Sequence, residues 1–162
     1  MTVGATDTVA TSSLGDDTVP NFSSSGNAVR RVDAVAPGAH IVSLKAPGSY
    51  AATNFAATGN VGDRFFRGSG TSQAAAVVAG SAALIIQQRP TISPQELKNL
   101  LASSATVLMN ESPEVQGPGE LNLAKALNLA TPTWAPSVGG IVWSDGMGSL
   151  ESARGTRHLV HN

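Results

Sequence analysis

A chain of 162 residues fits one domain, or one large piece of one, because domains run to roughly 100–200 residues. Hydrophobic residues make up 41% and charged residues only 13%, so the chain falls in the globular class, with Ala, Gly, Ser and Thr filling the gap. Ten basic and eleven acidic residues leave a net charge of −1, which argues against a nucleic-acid footprint or a polybasic membrane surface, and the absence of Cys excludes disulfide frameworks and thiol nucleophiles.

In chain order, residues 1–10 carry β-branched residues in weak alternation and predict a short strand. No signal peptide is expected there, since a basic and then a long apolar stretch are both lacking. Residues 11–31 are rich in Ser, Gly and Asp and predict a loop. Val32 to Ala36 is a short apolar stretch stopped by the turn dipeptide Pro37-Gly38. His40 to Leu44 predicts a second strand. Residues 46–64 read as loop, and Phe65-Phe66 as a return to the core. From Gly68 to Gln88 a Gly-rich turn leads into a long helix that is apolar nearly all round, which places it in the centre of a domain. Its apolar run, Ala74 to Ile86, falls short of the ~20 residues a membrane crossing needs. Arg89-Pro90 ends it. Ser93 then predicts an N-cap, Pro94 a first helical residue and Glu96 the partner in a capping box, for a helix over 94–103. A further helix is predicted over 123–129, capped by Asn122. Residues 131–162 read as irregular structure with a hairpin at Asp145-Gly146.

Gly70-Thr71-Ser72 is the candidate site. A Ser in the first turn of a helix has unpaired backbone N–H groups and the positive end of the helix dipole beside it. Both favour a negative oxygen, as a serine nucleophile requires of its tetrahedral intermediate. On the turn alone, a structural cap is the commoner reading. A phosphate-binding loop is excluded because no Lys follows the Gly, and the hydrolase elbow G-x-S-x-G is excluded because Ala74 replaces its second Gly. A triad of Ser72, Asp145 and His158 has no positional support, and His40 reads as a structural or partly exposed residue.

The segment Gly70 to Leu84, GTSQAAAVVAGSAAL, resembles the catalytic-serine block of the subtilisin-like serine proteases, G-T-S-x-A-x-P-x-V-A-G-x-A-A-L. Four more blocks follow that family's order. Val3-Gly4-Ala5 is similar to its A-V-G-A strand, and Phe22-Ser23-Ser24-x-Gly26 to its F-S-S-x-G loop. Asp33-x-x-Ala36-Pro37-Gly38 resembles D-v-x-A-P-G, and Gln116-Gly117-x-Gly119-x-Leu121-Asn122 resembles the lead into the last helix.

The resemblance implies an α/β fold: the C-terminal half of a three-layer α/β/α domain with a mainly parallel sheet, over residues 1–130. Residues 131–162 would be a tail leading to a further region. It implies a serine endopeptidase in which Ser72 attacks a peptide carbonyl and the Ser72 N–H gives half of the oxyanion hole. Thr71 would support that hole, Gly70 and Ser69 would lie along the substrate cleft, and Phe22 would border the leaving-group side. The family's catalytic Asp, His and oxyanion Asn precede the A-V-G-A strand, so no residue here takes their place. The chain alone is therefore expected to be inactive, its partners being a polypeptide substrate and the missing N-terminal half. A truncated reading frame, half of a split protein, and a catalytically dead remnant serving as a binding or structural module all stay open. No cofactor is required, no metal site is assigned, and calcium belongs to the full-length family domain. Secretion is the family habit. Ala76 stands where the family usually has Pro. Read as a first-turn position, the change loses only a fixed backbone angle.

Overall fold

The computed structural model describes residues 1–27 and 29–133. The predicted hairpin at Asp145-Gly146, the tail beyond residue 133, and the Asp145 and His158 of the rejected triad lie outside them. Strand β1, Val3–Thr6, runs parallel to β2, Ala34–Pro37, with Val3 beside Ala34 and Thr6 beside Pro37. The second edge of β2 is also filled: Val35 N–H donates to the Gly119 carbonyl at 3.0 Å, and Leu121 N–H donates to the Val35 carbonyl at 2.8 Å. Glu120 in turn bridges antiparallel to Thr106. β2 is therefore an interior strand covered on both faces, which explains its unbroken run of Ala34, Val35 and Ala36.

Strand β3, Ile41–Leu44, is followed by helices α1, Tyr50–Asn54, and α2, Ala56–Gly59, and by strands β4, Asn60–Val61, and β5, Phe65–Gly68. β5 pairs antiparallel with both β3 and β4. This ribbon lies off the core, so the expected return at Phe65 is corrected. Phe65 and Leu44 are exposed, and the half-buried Phe66 covers Gly59. The two helices replace a predicted loop. α1 buries no residue, so it has no apolar stripe for a sequence reading to find, and its one signal is the Ser49 side-chain cap on Ala52 N–H.

Helix α3, Thr71–Gln88, packs on β1 and β2 and buries Ala74, Val78, Ser81 and Ile85. Small residues set this contact: Ala74 meets Ala5 and Ala36 in one cluster with Val78, Ile85, Leu100, Leu101 and Ala126. The expected burial all round is corrected. Ala75, Ala76, Ala79, Ala83, Leu84 and Ile86 face away from the sheet and are exposed. Helix α4, Pro94–Ser104, has the predicted capping box, with Ser93 Oγ accepting from Glu96 N–H and Glu96 Oε2 accepting from Ser93 N–H at 2.8 Å. Helix α5, Pro113–Gln116, was not predicted, although Ser112-Pro113-Glu114 repeats part of the same signature. Helix α6, Leu123–Asn128, is capped by Asn122 as predicted and packs on α3 and α4. No helix among the described residues is long and apolar enough to cross a membrane.

Candidate active site

The Gly-Thr-Ser turn sits where β5 ends and α3 begins. Gly70 is the N-cap, Thr71 the first helical residue and Ser72 the second. The first amide acceptor of the helix is the Gly70 carbonyl, which takes the N–H groups of Gln73 and Ala74 at 3.1 and 3.3 Å. The N–H groups of Thr71 and Ser72 therefore have no acceptor within the helix and point outward at its positive end. Ser72 is exposed and Thr71 half-buried.

The turn is held by the segment that follows β2. Gly70 N–H donates to the Gly38 carbonyl at 2.8 Å, and His40 N–H donates to Ser69 Oγ at 2.9 Å. Gly38 has no space for a side chain: a Cβ there would lie 2.6 Å from Ala5 Cβ, 2.9 Å from the Gly70 carbonyl oxygen and 3.0 Å from Ala74 Cβ. The A-P-G block thus acts as the floor of the serine turn. The sequence signalled the block but not this role.

Gly70, Thr71, Ser72 and Ser69 come together in this turn. Phe22 does not share its bonding. It is exposed in the 20–26 loop, which is anchored to β1 by Ala5 N–H donating to Ser23 Oγ at 2.9 Å. His40 is 70% exposed, adopts φ 56° and approaches Asp7 Oδ2 at 3.6 Å. Its ring lies beside that half-buried carboxylate while its backbone holds Ser69. Gln73 was not predicted to matter, yet its carboxamide lies over Gly68 and Gly70.

Ala76 is the sixth residue of α3, so the first-turn reading of the Pro-to-Ala departure is corrected. In the second turn its N–H reaches the Ser72 carbonyl, a bond that Pro lacks. No group of three or more His, Asp or Glu side chains among the described residues is arranged to hold a metal ion.

The sequence pattern of the subtilase family matches residues 1–124. The chain belongs to the subtilase family. It is 42% identical over 125 residues to serine protease AprX of Bacillus subtilis, covering 75% of this chain and 28% of that relative. It is 35% identical over 106 residues to subtilisin E of the same species, covering 65% of this chain and 23% of that protein. The chain thus spans about a quarter of the length of these curated relatives. Among solved structures, fervidolysin of Fervidobacterium pennivorans, a keratinolytic enzyme related to subtilisin, superposes with a TM-score of 0.64 and 30% identity, over 81% of this chain and 19% of that one. The prenylagaramide maturation protease PagA gives a TM-score of 0.57 and 29% identity, over 77% and 40%. The subtilase chain has the α/β fold of these subtilisin-like proteins.

Proposed function

We propose that this subtilase segment carries the nucleophile and half of the oxyanion hole of a serine endopeptidase, and that an N-terminal half-domain supplies the rest. The supporting observation is an exposed Ser72 with its own N–H unpaired at the start of α3. The Ser72 hydroxyl adds to a peptide carbonyl, and its N–H donates to the oxyanion that forms. A His absent from this sequence takes the hydroxyl proton, and an Asp, also absent, orients that His. An Asn from the same half donates the second oxyanion bond. Thr71 supports the hole, and Gly70 lies along the cleft. Ser69 contributes its backbone, since its hydroxyl is engaged by His40 N–H. Phe22 borders the leaving-group side.

The exposed apolar face of α3 supports the missing half. Leu84 and Ile86 are 49% and 45% exposed beside Ala75, Ala76, Ala79 and Ala83. A contiguous apolar face on a central helix is a surface built to be covered. Among the described residues no His, Asp or Glu side chain hydrogen-bonds the Ser72 hydroxyl, and the chain alone is expected to hydrolyse no peptide. The substrate is a polypeptide, the site of action is extracellular by family habit, and any calcium belongs to the completed domain. Residues 1–130 form the peptidase segment, and 131–162 lead beyond it.

Labelling with a fluorophosphonate tests this. The 162-residue chain is mixed with the N-terminal half of a related subtilase catalytic domain. Labelling appears only in the mixture and disappears in Ser72→Ala. An assembled, folded mixture that does not label overturns the protease reading and leaves a binding-type remnant.

A further inference from the structure

A buried acidic pair lies away from the serine turn and has no part in the reaction proposed above. Glu120 is 2% exposed and Asp17 is 5% exposed. Thr6 Oγ1 donates to Glu120 Oε1 at 2.5 Å. The other oxygen, Glu120 Oε2, has no hydrogen-bond donor, and neither has Asp17 Oδ1. A buried carboxylate oxygen without a donor costs several times what an ordinary hydrogen bond contributes. The Asp17 and Glu120 side chains lie within hydrogen-bonding reach of each other, so one proton held between them serves both carboxyls.

We propose that Asp17 and Glu120 hold one proton between them and so form a pH-dependent clamp joining the 7–19 loop to the 117–121 segment. Three parts of the chain meet at the clamp. Thr6 ends β1, Asp17 closes the loop, and Glu120 lies in the stretch that pairs with both β2 and Thr106. The loop is anchored at its base by Asp7 N–H donating to the Thr18 carbonyl at 2.9 Å and by the reverse bond at 3.2 Å. Asp17 is the charged group that acts on Glu120. The Thr6 hydroxyl faces it from β1, and β2 and the 106 stretch bring the uncharged Val35 and Thr106.

Burial first, then the Asp17 carboxyl, push Glu120 up to about 7 from an ordinary 4.5, with the Thr6 hydroxyl pulling the other way. Between those values the folded chain keeps a proton that the unfolded chain has released. The clamp's contribution is therefore complete below about pH 4.5 and is lost as pH rises through about 7. The folding equilibrium constant falls by up to about tenfold per pH unit across that window. Above it, two adjoining buried carboxylates repel, and the loop parts from the sheet.

The test is a ¹³C NMR titration of the side-chain carboxyls in the full chain, in samples whose Val35 and Leu121 amides are protected from exchange. One carboxyl is expected to titrate far above the ordinary carboxylate range and to vanish in Glu120→Gln. Glu120→Gln mimics the neutral form, so its urea midpoint is expected to stay flat over the window in which the parent's falls. Asp17→Asn removes the second carboxyl and leaves a donor beside Glu120, whose burial remains, so its midpoint is expected to fall less steeply than the parent's. Ordinary titration of both carboxyls in protected samples overturns the clamp. So does calcium that stabilises the parent at pH 8 but not Glu120→Gln, because a cation would then hold the pair. Neither outcome depends on whether Ser72 is a nucleophile.

Discussion

The amide of Gly70 donates to the carbonyl of Gly38 at 2.8 Å, so the turn that carries Ser72 is bonded to the end of the central strand. The position of the serine is set by the sheet as much as by its own helix. The contact requires that nothing project from Gly38, where Ala5, Ala74 and Gly70 close in from three directions.

Gly38→Ala is accordingly expected to destabilise the chain by about 1–3 kcal/mol, the usual range for overpacking a filled site. The added methyl pushes on the Gly70 carbonyl, so labelling of the assembled domain should fall by more than the lost stability explains. Urea unfolding and the labelling rate, measured side by side, separate the two. Normal stability with normal labelling would contradict the close packing.

Asp33 accepts from Lys98 Nζ at 2.8 Å and from Thr2 N–H at 2.7 Å. Partial burial works against its ionised form, but Lys98 and the Thr2 amide outweigh that and hold the carboxyl below its ordinary 3.8. Folding therefore favours ionised Asp33. The contribution is present above pH 3.8 and is lost as pH falls through the lower folded value. Lys98→Met is expected to move the acid-unfolding midpoint upward and to cost about 0.5–1 kcal/mol at neutral pH, because both side chains are partly solvated. Circular dichroism along an acid titration reads the shift, and an unmoved midpoint would show the pair to be inert.

Arg89 serves two helices. Its backbone N–H donates to the Ile85 carbonyl at the end of α3, while Nη2 donates to the carbonyls of Leu129, Leu127 and Ala126 at 2.6, 3.1 and 3.3 Å. Nη1 reaches Thr131 Oγ1 at 3.2 Å. These bonds satisfy the open carbonyl end of α6 with a positive charge. Arg89→Ala is expected to cost about 1.5–3 kcal/mol by urea unfolding, the range for hydrogen bonds to a charged group. Arg89→Lys should recover only part of it, since a point charge cannot fork across three carbonyls. Full recovery by Lys would mean that charge alone matters.

The legible parts of the fold were those written in local chemistry. Ser93, Pro94 and Glu96 sit close together in sequence, and their geometry follows from that spacing. The serine turn was legible for the same reason, with Gly70, Thr71 and Ser72 adjacent. What stayed hidden depends on residues far apart in the chain. Glu120 looked like a spacer between Gly119 and Leu121, and only the arrival of Thr6 and Asp17 makes it part of a buried cluster. Gly119 has φ +126°, and the Thr106 backbone fills the space a side chain there would need, a contact no nearby residue announces. The exposed face of α3 has the composition of a helix covered on all sides, and nothing in that composition tells which side this chain itself covers.

The double pairing of β2 bears on how the chain is made. Its first neighbour, β1, leaves the ribosome before it, but the 119–121 stretch follows only after all of α3 and α4. At roughly 5–20 residues per second, the second edge of the strand stays unpaired for seconds. Contacts so distant in sequence also form slowly, since the intervening chain must close into a loop first. A nascent chain stalled before Gly119 would therefore display an open strand of Ala34, Val35 and Ala36, the kind of edge that adheres to other chains. Synthesis of this protein passes through an interval in which its most buried strand is its most exposed one.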